Sequence, residues 1–357
     1  MDFNTPTQET EISEIQHKCP GCGANLKFDI NTGMLACPHC GSTKEISSAE
    51  RVERRVMCES ILKEHKPWTE GTVFRCDNCG AKQAMNKRDI SKSCAFCGSN
   101  AIKGVSDLPG IRPDSVIPFA VNKNTAVERF RKWVKSRWFA PGAFKSQSHL
   151  SEQMNPVYAP AWSFSSDTVS RYNGQFGRTI VIQTRNGTQT RIQWYNVSGT
   201  INQRYLDFFV QSGDRISNSL FSRLKPFDLK GLQVYRTEFL AGIVAEHYSR
   251  GIEECFDQFA QFVKKDLRHR VKSKYNADHV AFLDMQTQYN SRRFNYVLLP
   301  LYISNFRYNA KLFNFYINGQ TGKIVGQYPK SKGKIFAFVV GVAIVFAALT
   351  YAVTTFI

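Results

Sequence analysis

The sequence predicts an α+β chain: two tandem zinc ribbons, an antiparallel α+β domain with signs of duplication, and one C-terminal transmembrane helix. Three observations carry this. Eight of the ten cysteines fall in four Cys-x-x-Cys pairs between Cys19 and Cys97. Beyond residue 115 the chain turns aromatic and β-branched, and strand-like runs alternate with two amphipathic helical stretches. The last 23 residues, Ile335 to Ile357, carry no charge. At 357 residues there is room for two or three domains.

Residues 1–16 are polar, Thr/Glu-rich and without period, which predicts disorder, and they lack the basic and apolar regions of a signal peptide. The cysteines follow. Cys19, Cys22, Cys37 and Cys40 form one set, and Cys76, Cys79, Cys94 and Cys97 a second. Fourteen residues separate the pairs within each set, and the second set repeats the first at a constant offset of 57 (76−19, 97−40). Two residues between cysteines let a tight turn aim both sulfurs at one point. The glycine after each pair (Gly23, Gly41, Gly80, Gly98) suits the positive φ such a turn demands. Two facing turns supply four thiolates in a tetrahedron, a closed structural zinc site. The expected cofactor is Zn2+, two per chain; iron is able to take the same four-sulfur geometry. Redox pairs rarely come as two matched couples, and a cytosolic setting disfavours disulfides.

Ribbon one is placed at 17–43 and ribbon two at 73–103. His39, inside a knuckle, reads as an exposed turn residue, since four cysteines already fill the metal. Residues 44–72 read as a helical linker. Ser47 or Ser48 caps a helix to about His65, with Val52, Val56 and Ile61 on one side and Arg51, Arg54 and Arg55 on another. Cys58 lies on it, outside any pair.

The α+β domain is placed at 104–330, opened by a linker with Gly104, Pro109, Gly110 and Pro113. Val116 to Phe119 reads as a strand. Thr125 caps a helix to about Trp138, with Val127, Phe130, Val134 and Trp138 at helical spacing and Arg129, Arg131, Lys132, Lys135 and Arg137 on the other face. Strands begin again at Val157-Tyr-Ala-Pro-Ala-Trp162. Asn186-Gly187, between runs at 179–184 and 188–195, is a hairpin signal. Further strands are read at 205–210 and 238–245. The longest amphipathic helix runs from Ile252 to about Lys274. Ile252, Phe256, Phe259, Val263, Leu267 and Val271 mark its apolar face, with Cys255 beside it. Lys264, Lys265, Arg268, Arg270, Lys272 and Lys274 crowd its C-terminal half, where the helix dipole favours cations. Strands follow at 279–288, 294–307, 311–317 and 323–325. Val157-x-x-Pro160-x-Trp162 and Val297-x-x-Pro300-x-Tyr302 share one pattern at the first strand after each helix. This predicts repeats at 114–212 and 236–326, with each proline at an edge or bulge.

The tail, 335–357, spans roughly 34 Å as a helix, enough for a hydrocarbon core of about 30 Å. Lys330, Lys332 and Lys334 precede it, so the positive-inside rule makes it a tail anchor with the bulk of the chain cytoplasmic. Its small residues, Ala337/Gly341 and Ala343/Ala347, permit close helix packing in lipid. The net charge of +18 implies an anionic partner.

Six segments resemble a known family: HKCPGCGANLKFD at His17–Asp29, CPHCG at Cys37–Gly41, RPDSVIPF at Arg112–Phe119, VYAPAW at Val157–Trp162, LKPFDL at Leu224–Leu229 and NGQTGKIVG at Asn318–Gly326. In these the chain resembles bacterial membrane proteins with a transcription-factor-IIB-type zinc ribbon, some of which carry a primosomal-helicase-like label. The resemblance implies zinc binding through the eight cysteines and membrane attachment, and it implies no reaction. The sequence lacks the phosphate-loop pattern a helicase needs.

No catalytic residues are expected. The histidines form no metalloprotease or triad-like motif, and Glu253-Glu254 suits the positive end of a helix dipole. The reading is a non-enzymatic, membrane-anchored adaptor that presents a cytosolic domain to a protein or membrane partner. The alternative is a membrane-tethered nucleic-acid-binding protein using the ribbons and basic helices, with Phe130, Trp133 and Trp138 as stacking platforms. The same positive charge also suits anionic lipid.

Overall fold

The computed structural model describes residues 17–47, 52–58, 72–85, 94–100, 102–105, 110–146, 154–184, 187–309 and 311–356. The expected disorder of 1–16 lies outside the described residues.

Lys27–Asp29 (β1), Met34–Ala36 (β2) and Thr43–Lys44 (β3) form a three-stranded antiparallel sheet around the first cysteine set. Phe28 anchors it to the body. Its amide donates to the Ala241 carbonyl at 2.9 Å, and its ring meets Phe239 edge-on at 5.6 Å.

The linker departs from the expected helix. Residues 52–58 are extended, and Arg55–Val56 (β4) pairs with Phe294 and Arg293; the remainder of the proposed helix, 48–51 and 59–65, lies outside the described residues. Tertiary contacts explain the difference. Arg54 donates to Asp207 at 2.8 Å, and Arg55 pairs with Asp114 at 2.9 Å while lying over the Phe294 ring. These outweigh the few tenths of a kcal/mol per residue that helix propensity offers.

Thr72–Cys76 (β5), Lys82–Met85 (β6) and Ile102–Val105 (β7) frame the second cysteine set, with β5 between the other two. This sheet continues into the main one, so the boundary drawn near residue 104 crosses a shared sheet. Ser115–Val116 (β8) leads to the helix Lys123–Lys135 (α1). Its cap is Asn122, not Thr125: the Asn122 side chain accepts the Thr125 amide at 2.8 Å. Gly142–Ser146 (α2) follows, unforeseen in the sequence.

Asn155–Thr184 (β9) and Gly187–Gln211 (β10) make the hairpin that Asn186-Gly187 predicts, with arms far longer than expected. Asn218–Leu224 (α3) is a short helix, and Gln233–Val234 (β11) pairs with β8. The strand read at 238–245 is instead a 3-10 turn, Thr237–Leu240, and a short strand, Val244–Glu246 (β12). Gly242, at φ 78°, turns the chain between them. Ile252–Tyr275 (α4) matches the predicted helix. The strands read at 279–288 and 294–307 are one, His279–Tyr308 (β13). Lys311–Asn318 (β14), Ile324–Gly326 (β15) and the apolar helix Lys332–Phe356 (α5) complete the order.

β9 and β13 run antiparallel at the centre. Both long strands bend where two bulges meet. Asp207 (φ 48°) and Ser291 (φ 49°) take left-handed conformations opposite Ser165 and Ser166, whose hydroxyls bind the Asp207 amide and the Asn290 carbonyl. Outer neighbours follow one pattern on both strands. Val157 and Tyr158 pair in parallel with Val244 and Ala245, and from Ala161 onward β9 pairs with β10. Val297 and Leu298 pair in parallel with Ser115 and Val116, and from Leu301 onward β13 pairs with β14. Pro160 and Pro300 sit in the gaps between these neighbours, where a missing N–H costs no ladder bond. Their carbonyls accept the amides of Ser212 at 3.1 Å and Gly319 at 2.8 Å. The prolines are thus tolerated in central strands.

α4 packs Phe259, Val263, Leu267 and Val271 onto β9, β10 and β13, where Phe259 stacks on Phe164 at 5.8 Å. Each such burial contributes about 1.5–3 kcal/mol. α1 buries Phe130 and Val134, with Phe130 against Phe315.

Candidate metal centres

All four cysteine pairs adopt one local fold, dictated by their sequence. In each, the amide of the glycine four residues on donates to the first cysteine's carbonyl: Gly23 to Cys19 at 2.9 Å, Gly41 to Cys37 at 3.1 Å, Gly80 to Cys76 at 2.7 Å and Gly98 to Cys94 at 2.9 Å. The four glycines lie at φ 71–75°, the left-handed region the turn requires. The first cysteine's own amide binds the carbonyl one residue past the glycine. Backbone amides and both sulfurs therefore converge on one side.

The turns face each other in two groups: Cys19, Cys22, Cys37 and Cys40, and Cys76, Cys79, Cys94 and Cys97. Within each, all four Sγ atoms lie within 4.8 Å of one another. Cys19–Cys40 and Cys22–Cys37 stand 3.4 Å apart, and Cys76–Cys97 and Cys79–Cys94 3.7 Å. Four thiolates around one Zn2+ at about 2.3 Å have sulfur–sulfur edges of about 3.8 Å, so the donor sets fit such an ion with only slight expansion. Each group is able to hold one metal ion.

The electrostatics point the same way. Ser42, through its hydroxyl and its amide, draws the Cys40 thiol down to about 6. The Ala24 amide pulls Cys22 in the same direction, but the neighbouring Cys37 and Cys40 sulfurs outweigh it and push Cys22 up to about 12. In the second group burial raises Cys79 and Cys94. Burial opposes ionisation of Cys97 too, yet the Ser99 amide and the Asn78 side chain bring it down. A divalent ion among four such sulfurs favours their deprotonated form.

The two surroundings differ. In the first group Cys22 and Cys40 are exposed. The second is more enclosed and is wired into the main sheet. Gln83, buried on β6, donates to Cys94 Sγ at 3.1 Å and accepts the Ala95 amide. Asn78 donates to Cys97 Sγ, and Arg215 donates to the Cys79 carbonyl. These outer partners fix the ligand geometry. No spacing in the sequence marks Gln83 or Arg215; Gln83 comes from β6 itself, and Arg215 from the loop after β10, 136 residues from Cys79. His39 is exposed and stands outside both groups.

The basic residues separate into engaged and displayed. On α1, Arg129 donates to the Thr321 carbonyl at 2.6 Å, and just past its end Arg137 lies 4.8 Å above the Trp133 ring. Arg131 is exposed but also engaged, whereas Lys132 and Lys135 are displayed. On α4, Arg270 pairs with Asp266 at 2.6 Å, and Lys274 reaches the Tyr172 hydroxyl at 3.4 Å. Lys264, Lys265, Arg268 and Lys272 are displayed. Phe130 is core, and Trp133 packs between Phe315 and Tyr328, so neither is an open stacking platform; Trp138 is 72% exposed. Cys255 is fully buried, and burial pushes its thiol up to about 12. Cys58 is exposed on the extended linker.

α5 is long and apolar enough to cross a membrane: 23 residues, Lys332–Thr354, with mean hydropathy 2.5 in a window of which none is buried.

No family model matches the chain, and no solved structure matches it. One curated relative is 30% identical over 333 residues, covering 92% of this chain and 94% of its own: the uncharacterized protein YdjG of Bacillus subtilis (strain 168). The match extends over most of both chains, and the chain belongs to the same family as YdjG.

Proposed function

We propose that the protein is a membrane-anchored zinc-ribbon adaptor. Two structural Zn2+ ions occupy the cysteine groups, α5 spans the membrane, and the remainder presents a cytoplasmic surface to a protein or membrane partner. The observation that carries this is α5. An apolar helix with none of its spanning window buried, its uncharged run preceded by Lys330, Lys332 and Lys334, leaves a packed body whose metal groups each have four protein ligands. Four sulfurs fill a zinc ion and leave no open position for chemistry, which supports a structural role.

The body is read as tandem ribbons followed by a duplicated α+β unit. Supporting the ribbons are the 57-residue offset and the four matching knuckles. Supporting the second duplication is the shared order of each half: strand, helix, long strand, hairpin partner. The halves exchange parts. Trp162 donates to the Arg250 carbonyl just ahead of α4, and Tyr302 to the Val121 carbonyl just ahead of α1.

Nucleic-acid binding is the weaker reading, because Arg129, Arg137, Phe130 and Trp133 are engaged internally. The test is crosslinking in intact cells followed by purification of the full chain from detergent-solubilised membranes. A reproducible protein partner is expected. Recovery of nucleic acid alone, with a steep salt dependence, would replace this reading with the other.

A further inference from the structure

Where α5 leaves the body, the turn that follows α1, together with α2 and the start of α5, borders an open recess of about 390 Å³ lined by Trp138, Lys145, Lys334, Ala337 and Phe338. We propose that this recess binds the headgroup phosphate of an anionic phospholipid in the leaflet that α5 enters. The inference rests on the reading of α5 as a membrane span.

Three features support it. The first is depth. Lys334 is the last charge before the uncharged run, and Ala337 and Phe338 lie about 4.5–6 Å further along the helix axis. The recess thus straddles the boundary between headgroups and acyl chains. The second is anchorage. Ser331 donates its amide to the Phe139 carbonyl at 2.8 Å, Lys334 Nζ donates to the Ala140 carbonyl at 2.8 Å, and Phe139 meets Phe338 edge-on at 5.5 Å. The 137–146 segment is therefore fixed against the start of α5.

The third is chemistry. Lys145 Nζ is held to the Lys135 carbonyl at 3.3 Å, as Lys334 is held to Ala140. Each ammonium has three donors and spends one, so both keep donors for phosphate oxygens. Ala337 and Phe338 supply an apolar floor on the side of the acyl chains. Trp138, 72% exposed, is the amphipathic ring that membrane interfaces favour.

The test uses the full chain, zinc-loaded, in phosphatidylcholine vesicles. A minor fraction of brominated lipid is added, as either phosphatidylglycerol or phosphatidylcholine. Bromine quenches indole on contact, and the Trp138 signal is the wild type minus Trp138→Phe. We expect the anionic tracer to quench Trp138 several-fold more steeply. Lys145→Gln combined with Lys334→Gln should bring the two curves together. Equal quenching of the wild type by both tracers overturns the proposal and leaves the span intact. No quenching by either, with protein failing to float with vesicles, overturns the span as well. Loss of the anionic preference on adding inorganic phosphate would mark a soluble-phosphate site and also overturn the lipid assignment.

Discussion

At the scale of single residues, the cysteines and their immediate partners decide the chemistry. Cys76→Ser should lower bound zinc from two ions to one by metal analysis, and Cys19→Ser should do the same. The stability cost should differ. Cys76 is fully buried beside strands that join the main sheet, whereas the first group holds two exposed ligands and its own small sheet. Cys76→Ser should therefore lower the melting midpoint of the whole body more than Cys19→Ser. Glu246 provides a pH signature. It is buried on β12 against Gly213, where burial first and Asp214 second raise its carboxyl from 4.5 to about 8. A raised carboxyl favours the folded state in its neutral form. That contribution is fully present below about pH 4.5 and is lost as pH rises through 8. Glu246→Gln should thus come close to wild type in urea unfolding near pH 5 and exceed it near pH 8–9, by at most about 5 kcal/mol. A gain confined to low pH would contradict this assignment.

At the scale of elements, α4 and the two long strands carry the body. Leu267→Ala on the buried face of α4 should cost about 2–5 kcal/mol, whereas Lys264→Gln and Lys265→Gln should stay within about 0.5 kcal/mol; chemical denaturation separates them. Tyr302→Phe should cost about 1–3 kcal/mol, because the Val121 carbonyl loses its donor in a buried position. These elements were unequally legible. α4 spans 24 residues with an unbroken 3.6 period, and its bounds follow from that pattern. β9 and β13 were broken into pieces in the sequence. In β13 the bulge at Ser291 shifts the alternation, and in β9 small residues such as Ser163, Ser165, Ser166 and Ser170 are buried without an apolar signal. The linker is the reverse case. A weak helical stripe lost to ion pairs with Asp114 and Asp207, which lie far away in sequence.

At the scale of the whole molecule, the interlocking of the halves has a direct consequence. Ser115 and Val116 find their pairing on β13, and Val157 and Tyr158 on β12. A fragment of residues 114–212 alone should therefore show no cooperative unfolding transition, while 110–330 with the second cysteine group should. Removal of residues 332–356 should release the protein from membranes under alkaline extraction, and retention would remove the basis for the anchor. Chelation should unfold the first group locally but propagate from the second into the body, since β6 pairs with β12; amide exchange would map the difference.

The sequence by itself determined the features that are local or periodic. The two four-cysteine groups follow from two-residue spacers and glycines, α4 from its apolar stripe, the hairpin from Asn186-Gly187, and α5 from an uncharged run long enough to span a bilayer. Each is encoded within a few turns of chain, so neighbouring residues suffice. Tertiary structure decided what depends on distant partners. It joined the second cysteine group to the main sheet through Gln83 and β12, packed Trp133 against Phe315 and Tyr328 while leaving Trp138 in the open, and seated Pro160 and Pro300 in central strands. It also brought Lys145 and Lys334, 189 residues apart (334−145), to the lining of one recess. Such pairings are set by packing and strand register, and the local sequence around either partner carries no record of the other.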